Sequence, residues 1–333
     1  MNTTCPPTSL LASPTFYSLF MHSLSALELP THLFCTYIMI CKTPRSMKSA
    51  KWPLLYYHFW CSTLDILVSA FITPYTLFPE LACFSMGILK WWGVSTGKQI
   101  FAYAFTSCMV SVSLVGIYEN RFYVIANPPR FWRTWRHIFS FTNHLMALTF
   151  FLPIYYTFPE QEPARKDFFQ KVPCLPEKAL DPDVDLLVLG DNVFTGTLQT
   201  IIILPLGVSL VGQHLTYLTM TVRRLVMETK NNKISYQTWT LRRKFFIALL
   251  IQSAIPLGVL LTPLLWNTFS IVLGIKNQEL NNIAFFFTAS HGLVSTLAIL
   301  MVHEPYRRET WKIFRKMKIK SNSNVETSFA IST

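Results

Sequence analysis

Residues 16–41 read FYSLFMHSLSALELPTHLFCTYIMIC. The run holds a single acid, Glu28, and no Lys or Arg, and Lys42 follows it at once. A bilayer core of roughly 30 Å takes about 20 mostly apolar residues as helix, so this run is long enough to cross. Lipid admits only helices and closed barrels, because every backbone polar group must be satisfied internally. Six more runs of that length follow: Pro53–Leu77, Lys98–Glu119, His137–Thr157, Thr195–Val222, Lys244–Trp266 and Asn282–Val302. The third is diluted by Ser and Thr, the fourth by Asn143 and His144. Seven such runs without an amphipathic period are hard to bury in water. The chain therefore reads as all-α, a polytopic seven-transmembrane helix bundle.

Composition agrees. Apolar residues fill 51% of the 333 positions and charged residues only 14%, where a soluble domain carries about a quarter. Residues 1–16 contain no Lys or Arg, so the positive region of a cleaved leader is missing and the first run is expected to stay as a helix.

The 29 basic residues outnumber 17 acidic ones, and their distribution sets the orientation. Four lie in the first loop, four in the third, seven in the fifth and seven in the tail, against seven in all other segments. Positive loops stay cytoplasmic, which puts the N-terminus outside and the C-terminus inside. Basic residues spread between apolar runs fit a lipid bilayer's anionic face, not nucleic acid. The expected organisation is an extracellular N-terminus at 1–15, a helix domain at 16–306, a juxtamembrane helix at 307–319 and a disordered cytoplasmic tail at 320–333. The juxtamembrane helix carries Trp311, Phe314 and Met317 at helical spacing among basic residues, the pattern of a helix lying on a membrane surface.

The longest outer segment, Phe158 to Phe194, contains Cys174. Cys5, Cys83 and Cys174 fall on the oxidising side, where disulfides persist. A Cys83–Cys174 bridge would pin this loop over the bundle mouth; Cys5 is the competing partner, and spacing leaves the connectivity open. Asn2-Thr3-Thr4 is an N-glycosylation acceptor pattern.

Several polar residues interrupt the apolar runs. A charge at mid-bilayer costs about 2.5–3.5 kcal/mol on insertion scales, so Asp65 and Glu28 are expected to face the interior. Glu119-Asn120-Arg121 ends the third run. Arg121 keeps its charge at any physiological pH and can exchange partners. Glu119, two residues away, points to another face of the helix, so an Arg121 lock needs a different acceptor, such as a carbonyl or Glu228. Counting outward from Arg121 by helical turns, Tyr103 and Ser107 share one face; by analogy with other seven-helix proteins that face is expected to look into the bundle and mark a ligand pocket, with Gln252, Trp266, Phe287 and His291 as candidate neighbours. Prolines inside the runs, Pro30 and Pro205 among them, favour kinks. No metal-ligand spacing, nucleophile elbow or phosphate loop occurs, so neither a catalytic site nor a cofactor is expected. No internal repeat is visible, which counts against repeat-built transporters.

Further marks recur in order along the chain: Lys42-Thr43-Pro44, Lys51-Trp52, His58, Asp65 and Pro74-Tyr75, then Glu119-Asn120-Arg121 and Pro173-Cys174-Leu175-Pro176. Gln252, Pro256, His291-Gly292-Leu293-Val294-Ser295-Thr296 and His303, Pro305, Tyr306 and Arg307 close the set. Together these resemble the nematode serpentine receptor class H (Srh) family of chemoreceptor-type seven-helix proteins. The resemblance implies a chemosensory G-protein-coupled receptor in the plasma membrane of sensory neurons, in cilia, with a small-molecule ligand, a heterotrimeric G protein and arrestin as partners. Glu119, Asn120, Arg121, His303, Pro305, Tyr306 and Arg307 are then the expected signalling switch. Relative to rhodopsin-like receptors, Glu-Asn-Arg stands for Asp-Arg-Tyr, so coupling by their mechanism is an analogy. A small-molecule transporter is the alternative function.

Overall fold

The computed structural model describes residues 3–4, 9–126, 129–149, 151–172, 174–181, 183–190, 193–230 and 235–316. Among them stand seven long helices: α1 (Pro14–Cys41), α2 (Lys48–Ile66), α3 (Thr96–Ala126), α4 (Arg130–Thr149), α5 (Val193–Lys230), α6 (Tyr236–Leu273) and α7 (Gln278–Val302). Residues 304–316 form an eighth, α8. Among the described residues, four segments are long and apolar enough to cross a membrane: Pro14–Cys41, Lys48–Ile72, Thr96–Ala126 and Gln278–Val302. Local chemistry marks the ends. The Ser13 hydroxyl caps α1 and Pro14 opens it, the first-turn position where a missing N–H costs nothing. Ser235 and Asn277 cap α6 and α7 through the N–H groups of Thr238 and Leu280. Gly274, at φ 65°, terminates α6 in the left-handed region that a Cβ disfavours.

The second apolar run stops short of its expected end at Leu77. After a π-helical turn over Leu67–Ile72, Thr73 turns left-handed at φ 45°. Pro74 has no N–H to continue the ladder and restricts the residue before it. Pro74–Leu77 instead forms β2, antiparallel to β3 (Ala82–Ser85). The fourth run also shifts: α4 begins at Arg130 and ends at Thr149. Its diluting Asn143 is buried and exchanges amide hydrogen bonds with Gln213 of α5, at 2.8 and 3.2 Å. A pairing of that kind removes the cost of a buried amide.

One apolar core joins α1, α2 and α7, and a second joins α3, α4 and α5. The hairpin β2–β3 roofs one end of the first. Tyr17 of α1 donates to the Pro74 carbonyl at 2.7 Å; Gln278 and Asn281 of α7 donate to the carbonyls of Thr76 and Phe78. The long loop joins the roof through β5 (Leu187–Val188), which adds to β3 with Cys83 opposite Leu187. Asp185 accepts from the Thr96 N–H at 2.7 Å and from Arg165 at 2.6 Å, and Gln161 and Val188 exchange two further bonds.

Strand addition thus does the pinning expected of a Cys83–Cys174 disulfide. That bridge is not formed: Cys83 is a buried free thiol. Burial, then the Asp185 carboxylate, pushes its pKa up to about 12, so it stays protonated. Cys174 lies on a different strand, β4 (Cys174–Leu175), parallel to Thr3–Thr4 with Thr3 as its partner. Cys5 and Asn2 lie outside the described residues.

Candidate functional site

Asp65 sits at the end of α2, just before the π-helical turn, with no solvent exposure. Its Oδ1 accepts from His291 Nδ1 at 2.8 Å and from the Gly292 N–H at 2.9 Å. Its Oδ2 accepts from the Leu293 N–H at 2.6 Å and faces His32 Nε2 at 3.4 Å. His291 Nδ1 also lies 3.0 Å from the Thr288 carbonyl. Two acceptors face that nitrogen, so it carries a proton. One carboxylate thereby joins α1, α2 and α7.

The close approach depends on Gly292. A Cβ there would lie 2.6 Å from both Asp65 Oδ2 and the Cys61 carbonyl, inside any tolerable contact. The network continues outward: His32 Nδ1 meets Thr296 Oγ1 at 2.9 Å, while His58 Nε2 meets the His32 carbonyl and Thr36 Oγ1 at 3.2 and 3.1 Å. Glu28 is buried as well; its Oε2 accepts from Ser69 at 2.8 Å and its Oε1 has no hydrogen bond. Both intramembrane acids face the interior, as their cost requires. The imidazoles and Gly292 that complete the clasp were legible only as scattered marks.

At the opposite end of the bundle the triplet of α3 splits three ways, as helical steps of about 100° dictate. Glu119 Oε2 accepts from Arg136 of α4 at 2.7 Å, and that guanidinium stacks 4.2 Å from the Tyr123 ring centroid. Asn120 donates to the Ser49 carbonyl of α2 at 2.9 Å. Arg121 is buried, in the electrostatic neighbourhood of Tyr306. The Glu228 side chain lies outside the described residues. His303 and Tyr306 are buried, their rings 5.9 Å apart, and the Tyr306 hydroxyl meets Thr43 Oγ1 at 3.1 Å. Burial, then the charge of Arg121, lowers the His303 pKa to about 4. Pro305 opens α8, and the exposed Arg307 donates to the Met301 carbonyl at 3.0 Å. The sequence offered Arg136 only as one loop charge among several; its pairing depends on how α4 folds back against α3.

The expected pocket is only partly assembled. Ser107 donates to the Tyr103 carbonyl at 2.8 Å, and the Tyr103 ring lies 6.2 Å from that of Phe285 on α7. His291 is committed to Asp65. Trp266 donates to Asn281 Oδ1 at 2.9 Å, tying α6 to α7 near the roof. Phe287 does not belong to the interior: it is 42% exposed, one residue, or about 100° of helix, from the buried Thr288. The Gln252 side chain lies outside the described residues.

The chain matches the family model described as "Serpentine type 7TM GPCR chemoreceptor Srh" over residues 12–316. It is similar to serpentine receptor class H-72 of Caenorhabditis elegans, 26% identical over 332 residues that cover 95% of this chain and 91% of that one. These matches favour a membrane receptor over a transporter or an enzyme. Spanning helices, a buried acid that fastens three of them and a basic residue buried where the third helix meets the tail all lie inside the matched region, and the chain belongs to the Srh family of seven-transmembrane chemoreceptors.

Proposed function

We propose that this receptor binds an extracellular small molecule and signals through a heterotrimeric G protein, with its N-terminus outside and its C-terminus inside. The plasma membrane of sensory neurons, including their cilia, is the proposed location, and arrestin a further partner. The observation that carries the reading is the buried Arg121, in the electrostatic neighbourhood of the buried Tyr306 and His303. A bundle end held by polar contacts has alternative partners available when helices shift. A ligand can move that equilibrium only by its differential affinity for the two arrangements.

The surface excess of Lys and Arg at this end matches the cytoplasmic side and offers a cationic face to a G protein. The test is Gα nucleotide exchange in membranes bearing Arg121→Lys or Arg121→Ala, normalised to surface level. Both variants are expected to reach the surface and to lose coupling, because Lys lacks the planar guanidinium fork. Wild-type exchange from both would defeat the reading. Epitope tags at the two termini test the orientation on intact cells, and a C-terminal tag accessible from outside would reverse it.

A further inference from the structure

A cavity of about 640 Å³ lies along α1 and α2. Apart from Leu89, every residue around it comes from those two helices or the π-turn that closes α2. None comes from α3, α5, α6 or α7, so it opens sideways, away from the bundle axis. From Leu55 to Phe71 it follows α2 for roughly 24 Å, most of a bilayer core. Leu33 and Phe59, 62% and 54% exposed, stand at its rim. In a spanning receptor that exposure is to hydrocarbon.

Its inner wall has a different chemistry. Thr36 and His58 line it and bond to each other, and Ser62, also in the wall, has a buried hydroxyl with no hydrogen-bond partner, which a molecule in the groove reaches once the side chain turns to another χ1 rotamer. The next residue, Thr63, bonds back to the Phe59 carbonyl at 2.8 Å; Ser62 does not, which leaves it an unused donor and acceptor at mid-membrane. A buried hydroxyl without a partner is costly and is relieved by any group that supplies one. An ordinary phospholipid acyl chain has no polar atom at this depth. A free lipophilic molecule with one oxygen does.

We infer that this groove is a binding site for a bilayer-dissolved aliphatic molecule bearing one hydrogen-bonding oxygen, an alcohol or ketone, which enters between α1 and α2 and hydrogen-bonds Ser62. The inference deepens the receptor reading and rests on it for its meaning. The groove's wall is continuous with the clasp: His32 lines it and also reaches Asp65 and Thr296. Occupancy therefore bears directly on the contact between α2 and α7.

The test uses the full-length receptor in cell membranes and a medium-chain aliphatic alcohol carrying a diazirine and a terminal alkyne. Labelled peptides are expected from α1 and α2, with displacement by the unmodified alcohol. Leu33→Trp fills the groove from a lipid-exposed position and is expected to cut labelling about tenfold, while Ser62→Ala keeps the labelling site and weakens displacement about fivefold, the share of one hydrogen bond. Labelling spread over all lipid-facing helices and unchanged by Leu33→Trp would be annular contact only and would overturn the site. Displacement unaltered by Ser62→Ala would overturn the assignment of the oxygen. Labelling is read without any signalling step, so a receptor that binds the alcohol here but fails to activate a G protein would refute the function and leave the site standing.

Discussion

The two polar centres of this bundle are built on opposite principles. Around Asp65 both imidazoles and the glycine are buried, two donors are backbone N–H groups, and the glycine sets the distance. Around Glu119 and Arg121 the partners are long side chains near the helix ends, and Arg136 keeps 22% of its side chain exposed. In low dielectric a satisfied polar network is strong and its disruption costly. At the second centre Glu119 and Arg121 are themselves buried, but Arg136 reaches water, so the Glu119–Arg136 pair can be exchanged at lower cost. The first centre fastens α1, α2 and α7 to one another; the second ties α3 to α4 and to α2.

That contrast breaks most sharply at Asp65. Asp65→Ala strands the His291 imidazole and leaves a hole, a loss of roughly 3–5 kcal/mol for breaking a buried pair. Surface expression is expected to collapse; a variant that reaches the surface at wild-type level would show that the clasp does not hold the fold. Gly292→Ala comes next. Its methyl forces α2 and α7 apart at an expected cost of about 1–3 kcal/mol, visible as a lower melting midpoint of the purified receptor. Unchanged thermal stability would mean the helices separate freely there.

At the other centre the expected sign is reversed. Glu119→Gln frees Arg136 while removing little packing, so the protein should remain stable, within about 1 kcal/mol, and its basal nucleotide exchange should rise severalfold. Basal exchange at the wild-type level would place the restraint elsewhere. The smallest effect concerns His303. Its folded pKa, about 4, lies below the ordinary 6.5, so the unfolded chain binds the proton first. Stability is full above pH 6.5 and falls as pH drops toward 4. Between pH 7 and 6 the loss is on the order of 0.5 kcal/mol, and a melting profile of His303→Gln should be flatter over that window. An identical slope in both proteins would remove His303 from the account.

The helical bundle was legible because hydrocarbon imposes one demand, apolar length, and four segments among the described residues meet it locally. Asp65 stood out for the same reason, as a violation. Its partners did not: His291 and Gly292 are 226 and 227 positions further on, and only packing brings them back. The roof was missed because β5 is two residues long, too short to carry an alternation, and its pairing with β3 is a tertiary choice. The Cys83–Cys174 pairing failed on the same point. It asked which cysteines share a compartment, whereas the register put Leu187 opposite Cys83. Phe287 was misplaced because a single aromatic in an apolar helix looks alike whether it faces protein or lipid.

The roof has a consequence for what such a receptor can detect. Hairpin, loop strand and the ends of α1, α3 and α7 are sewn together by hydrogen bonds, so among the described residues that end of the first core is covered. A molecule arriving through the membrane is first concentrated by it. Each added methylene is worth about 0.8 kcal/mol of transfer, or roughly a fourfold rise in local concentration. Across a homologous series, apparent potency would then climb with oil–water partitioning until chain length exceeds the groove, and fall beyond it.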